Sequence, residues 1–332
     1  MRVYLGLAMA VVLGLAGTLR AEPLDLEQVA ADAKWVAQVD FDAARASSVL
    51  HNAIEHLMQK HPDAKEHLAA VREIWKFDPR ADLHGVTIYG TQIKKDTGAA
   101  IVHAKVDQQL LLEKARKAHE HQASDYGKYE LHTWKHKHPK GPEHGRMMTG
   151  VFYKPDVIVF GSLDEVKAAL DVLDGAKPNL AGKDSPLAGA VPQGAILVAR
   201  AVGLAEAELP CKSPLIRQMD SFALAVGENQ DESFFEGKLT VKRTELAQQI
   251  MAVVEGVRAM SALAHGGDAE AMKIINALKV SAGDKSVGVE WRAPAKKVWE
   301  HLRKMGEMEE GRKARKAWHL LGKPDRCPVE EE

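Results

Sequence analysis

Cysteine is nearly missing from this chain: Cys211 and Cys327 are the two in 332 residues. That excludes a disulfide-dense miniature scaffold. Aromatic residues are few, at 5%. No excess of one charge sign exists, with 45 Lys and Arg against 46 Asp and Glu and a formal net charge of −1 at pH 7. The basic footprint of a dedicated nucleic-acid binder is therefore lacking. The sequence contains no N-x-[ST] acceptor, no G-x-S-x-G, no H-E-x-x-H, no P-loop and no G-x-G-x-x-G, so no standard catalytic or phosphate-cradling motif is in view. Past residue 21 no apolar run approaches the roughly 20 residues that a bilayer span requires.

The N-terminus is different. Arg2 supplies a positive start, residues 3–17 form an uncharged apolar stretch, and Ala21 precedes the polar Glu22-Pro23. This is the tripartite pattern of a secretory signal peptide over residues 1–21. The alternative is an uncleaved anchor. On the favoured reading the protein is exported, periplasmic or extracellular, with no membrane span after cleavage.

Self-similarity organises the remainder. VAADAKWVAQVD (29–40) aligns with VPQGAILVARAV (191–202), LHGVTIYG (83–90) with DSFALAVG (220–227), and AAIVHAKV (99–106) with FFEGKLTV (234–241). An amphipathic helix follows in each case. The first is opened by Asp107, a good N-cap. The second carries Leu246, Ile250, Val253, Val254 and Val257 at helical spacing and stops before Gly266-Gly267. TGVFYKP (149–155) is then matched with VGVEWRAP (287–294), and each copy closes with a helix. Ser162 and Glu165 predict a capping box for one, and Val298, Leu302 and Met305 stripe the other. Residues 48–76 read as two extra helices, broken at His61-Pro62, in the first copy only. The predicted class is α+β: strands in antiparallel sheet with helices packed on it. The expected divisions are a signal peptide at 1–21, a first copy at 22–175, a linker at 176–190, a second copy at 191–306 and a charged helix and tail at 307–332.

The runs AKWVAQVDFDAARAS, KVDQQLLLEKA, DVIVFGSLDEVKAALDVLDG, NLAGKDSPL and LPCKSPL resemble a set of uncharacterised bacterial exported proteins, classed as domains of unknown function, that carry a duplicated α+β unit. The resemblance spans most of the mature chain. It implies export and duplication, and brings no activity, cofactor or site residue with it.

Histidine is the abundant exception: twelve of the fifteen lie between His51 and His144. If 129–138 is a strand, His132, Trp134, His136 and His138 share one face. Imidazoles so spaced can chelate zinc or copper, with His119, His121 or His144 as further donors. Against this, Lys135, Lys137 and Lys140 would repel a cation, and no carboxylate stands at a fixed spacing. The same Lys and His residues form a cationic patch suited to an anionic envelope polymer. Cys211 and Cys327, each beside a proline, are expected to pair as a disulfide in an oxidising compartment. The sequence reading is thus an exported, non-enzymatic protein that binds an envelope protein or polymer, without cofactor. The alternative is a metal protein centred on His132, His136 and His138.

Overall fold

The computed structural model describes residues 24–94, 97–135, 145–207 and 216–307. Residues 1–23, where the signal peptide is expected, and His136, His138, His144, Cys211, Cys327 and the tail after Glu307 lie outside the described residues, and so do the expectations that rest on them.

Strands β1 (Trp35–Asp40), β2 (Leu83–Gly90) and β3 (Ala99–Ala104) open the chain, with helices α1 (Phe41–Ala46), α2 (Ser48–Lys60), α3 (Pro62–Trp75) and α4 (Pro79–Asp82) between β1 and β2. Then come α5 (Gln108–Arg116), β4 (Gln122–Tyr126), β5 (Tyr129–Lys135), β6 (Met147–Lys154), β7 (Val157–Gly161) and α6 (Leu163–Leu173). The second part holds β8 (Ala195–Val202), β9 (Met219–Asn229), β10 (Glu232–Val241), α7 (Thr244–Ala264), α8 (Ala269–Asn276), β11 (Lys279–Ala282) and β12 (Ser286–Pro294). Residues 295–307 are helical.

All described strands join one antiparallel sheet in the order β11-β12-β10-β9-β8-β1-β2-β3-β7-β6-β5-β4. The expected α+β class therefore holds. Counting outward from the central β1–β8 pair, β1, β2 and β3 stand at the same ranks as β8, β9 and β10. The expected equivalence of 149–155 with 287–294 does not keep rank: β12 is fourth from the centre and β6 fifth. The cause is local. The tight turn after Lys154 pairs β6 with β7, and it is β7 that pairs with β3, Ile101 lying opposite Val159.

Local signals acted as the sequence predicts. Asp107 accepts a hydrogen bond from the Leu110 amide at 3.0 Å and starts α5. Ser162 and Glu165 complete their capping box at the start of α6. Gly175, just past α6, takes φ +74°, a conformation that costs glycine nothing.

One sheet face carries the main core. Val36 stands opposite Tyr89, Tyr89 opposite Ala99, and Val159 opposite Val151. Val166, Ala169 and Leu170 of α6 pack on this surface. The segment expected as a linker is seated there too: Leu180 and Leu187 are buried. Ala31 donates to the Pro178 carbonyl at 3.0 Å and Leu180 to that of Val29 at 2.8 Å. Arg200, buried on β8, donates to the carbonyls of Leu187, Gly189 and Ala190 at 2.6–2.7 Å.

Candidate functional site

The opposite face of β5, β6 and β7 is not filled. His132, Gly150 and Phe160 stand abreast across the three strands. Trp134 and Phe152 flank that row on the same face, since side chains alternate along a strand. Helix α5 and the end of α3 lie over them. Between these layers is a cavity of about 340 Å³ whose lining includes Trp75, Leu111, Ala115, Trp134, Phe152 and Phe160. Gly150 leaves the floor low. A Cβ there would come within 2.9 Å of the Phe160 ring and 3.0 Å of Trp134, so the rings lean over the glycine. Phe160 and Trp134 meet edge to face, with centroids 6.5 Å apart at 87°, a favoured aromatic geometry. Trp75, 40% exposed, stands at the rim, with the Lys114 ammonium 4.6 Å from its ring centre.

His132 is the polar group in the floor. It is 3% exposed and lies 3.1 Å from His121, Nδ1 to Nε2. The two rings stack, with centroids 5.4 Å apart. Its other nitrogen faces the Glu130 carboxylate at 3.7 Å. Burial pushes the His132 imidazole below its ordinary range, with Glu130 acting against the shift. One ring of the pair donates to the other, and charging both rings would set two cations at contact distance.

Of the strand expected over 129–138, the described residues 129–135 form β5. Within it His132 and Trp134 do share a face, and both line the cavity. His121 joins His132. His119 turns instead toward Glu120, 3.2 Å away. Among the described residues no group of three or more His, Cys, Asp or Glu could hold a metal ion. The aromatic convergence was not foreseen. In a chain with 5% aromatics, four of them meet at this one hollow.

A second, more polar cleft of about 450 Å³ is lined by Asp40, Asp42, His84 and Asp156, among others. Its charged groups have structural work. Asp40 caps α1 by accepting from the Ala43 amide at 2.8 Å, and burial raises its carboxyl above the usual range. Asp42 pairs with Arg45 and lies 3.1 Å from His84. Arg45 also donates to the Leu83 carbonyl at 2.7 Å. Burial and the nearby Arg45 hold His84 below the ordinary imidazole range. Thr87, Tyr153 and Lys154 also line this cleft.

No family model and no curated protein matches the chain. Three crystal forms of TP0453 are similar to it in structure. Form I has a TM-score of 0.43 and 8% identity over 85% of this chain and 97% of that one. Form III gives 0.38 and 8% over 85% and 98%, and form IV 0.42 and 9% over 86% and 99%. At this distance nothing about role passes from those chains to this one. No described helix is long and apolar enough to cross a membrane.

Proposed function

We propose that this chain is an exported, non-enzymatic binding protein that holds a small apolar or amphipathic ligand in the α5–sheet cavity. One observation carries the reading. The cavity has the volume of a ligand site, and its lining is apolar and aromatic with His132 and Lys114 as the polar exceptions. A hollow of this composition hydrates poorly, and an apolar chain entering it gains the burial. His132 and Lys114 would orient a polar or anionic end. The ordered sequence matches support descent from a duplicated unit, in which residues 157–161 rather than 149–155 are the counterpart of 287–294.

The test is displacement of a fluorescent anilinonaphthalene probe by dodecanoate, with native mass spectrometry of protein taken from its own host. Dodecanoate is expected to bind wild type. Ala115→Trp, which fills the cavity from α5, is expected to weaken it at least tenfold with the melting temperature unchanged. Equal binding by both proteins, or none by either, overturns the reading.

A further inference from the structure

Helix α7 has an apolar side that the fold covers only in part. Leu246 and Ala247 are buried against Val241 and Val287, with Ile250 packed beside them. Val253, Val257, Met260 and Leu263 continue the helix beyond that contact and are 65%, 59%, 72% and 85% exposed. At 100° per residue, Leu246, Val253, Val257 and Met260 fall on one side. The stripe is therefore continuous, and its sheet-side cover stops after two turns. On the neighbouring helical residues 295–307, Leu302 and Met305 are also about half exposed, at 47% and 50%.

The chain itself leads a segment to this surface. His301 meets His265, just past the end of α7, with ring centroids 6.4 Å apart. The Ala271 amide, with that of Glu270, favours the charged form of Asp268, and Lys304 and His301 add to this from the 295–307 helix. Residue 307 is thus reached beside the uncovered end of α7. The opposite end of α7 is also fixed. Arg243 donates to the Gln218 side chain at 2.7 Å, and Thr244 to Asp284 at 2.8 Å.

We infer that residues 308–327 fold back along α7 and cover its apolar stripe. Three features fit. Ala314, Ala317, Trp318 and Leu321 recur at i, i+3, i+4 and i+7, the spacing of an apolar helix face. Arg312, Lys313, Arg315 and Lys316 lie off that face and would face water. The length also fits: the stretch from Glu307 to Cys327 covers about 30 Å as helix and more when extended, and α7 itself is about 30 Å long. An antiparallel course takes Cys327 from the His301 end of α7 toward its Gln218 end. Ala314 and Trp318 then lie over Val257 and Val253.

Hydrogen exchange read by mass spectrometry tests this on the full chain, on a variant truncated after Glu307, and on the full chain carrying Val257→Ser and Met260→Ser. Peptides over 314–321 are expected to be protected in the full chain at every concentration, and the double variant is expected to lower that protection at least tenfold. Truncation is expected to speed exchange in peptides over 250–264. Unchanged exchange in β10 and β12 shows that the variants are folded. Unprotected 314–321 in the full chain overturns the proposal. So does protection that vanishes on dilution, which assigns the stripe to a second copy, or protection that requires phospholipid vesicles, which assigns it to a membrane surface.

Discussion

The two flanks of the sheet are built from similar strands and covered differently. On the β1–β7 flank one face carries α6 and the 176–190 segment, anchored by the buried Leu180 and Leu187, and the other faces α5 across the cavity. On the β8–β12 flank, the face opposite α7 presents Glu236, Lys238, Glu290 and Arg292, with Arg292 paired to Glu236. An antiparallel sheet tolerates one wet face, so this flank needs a helix on one side only. The comparison teaches that coverage, as well as the number of strands beyond the third, distinguishes the halves. One flank spends its apolar residues on a closed core and a hollow, and the other carries an apolar helix face that its sheet does not cover.

The largest effect should separate the two helices. Leu170→Ala, in the closed core, is expected to cost about 2–5 kcal/mol, whereas Val257→Ala in the chain truncated after Glu307 should change stability by less than about 0.5 kcal/mol. Urea unfolding reads both. Similar costs at the two sites would erase the contrast.

The next concerns a tie between the flanks. Glu228, on β9, accepts from the Ser47 hydroxyl at 2.7 Å, the Ser48 hydroxyl at 2.7 Å and amide at 2.8 Å, and the Val49 amide at 3.2 Å. A carboxylate thus closes the N-terminus of α2 from the other half of the molecule, where helix-end charge favours it. Burial alone would raise this carboxyl, but the four bonds outweigh it and hold it below the usual range. Glu228→Ala should cost about 2 kcal/mol and release amide protection first in α2. The contribution of Glu228 is whole above the ordinary glutamate pKa and is lost as the pH falls through the depressed one. A variant that loses stability equally everywhere would show that the tie is not local.

The smallest effect is the titration of His132. Its folded imidazole sits below the ordinary value of 6.5, so the unfolded chain takes up the proton first as the pH drops. Its contribution is complete above about 6.5 and declines below, toward the depressed folded value. Exchange in β5 and β6, corrected for the intrinsic rate, should quicken between pH 7.5 and 5.5 while β10 and β12 stay constant, and His132→Phe should flatten the change. Equal pH response on both flanks would remove the histidine pair as its cause.

Much of this was legible locally. The Asp107 cap, the Ser162–Glu165 box and the break at His61-Pro62 depend on neighbours within a turn, and such signals survive in sequence. The α7 stripe was legible as a periodicity, but periodicity cannot say how far a sheet will extend beneath it. β4 was missed because QASDY has no apolar alternation, and β11 because it is four residues long. Without β4 the register that sets Gln122 opposite Thr133 is invisible, and so is the approach of His121 to His132. The cavity needed three strand registers and a helix placement at once.

The central β1–β8 pair also has a consequence in time. Trp35 is made early, and its partner Ala201 emerges only after the whole first flank has been synthesised. Until then β1 has one side bonded to β2 and the other bare, at the middle of what will be the sheet. A bare edge is a template for the wrong strand, including a β1 or β8 from another nascent copy. The alternation Val36, Gln38 and Asp40 on one side puts a buried amide and a carboxylate among the core residues of that edge. Such polar groups penalise a mismatched neighbour more than an apolar edge would. Closure of the sheet is therefore the late, long-range step of folding, and the window before it is when this chain is most exposed to misassembly.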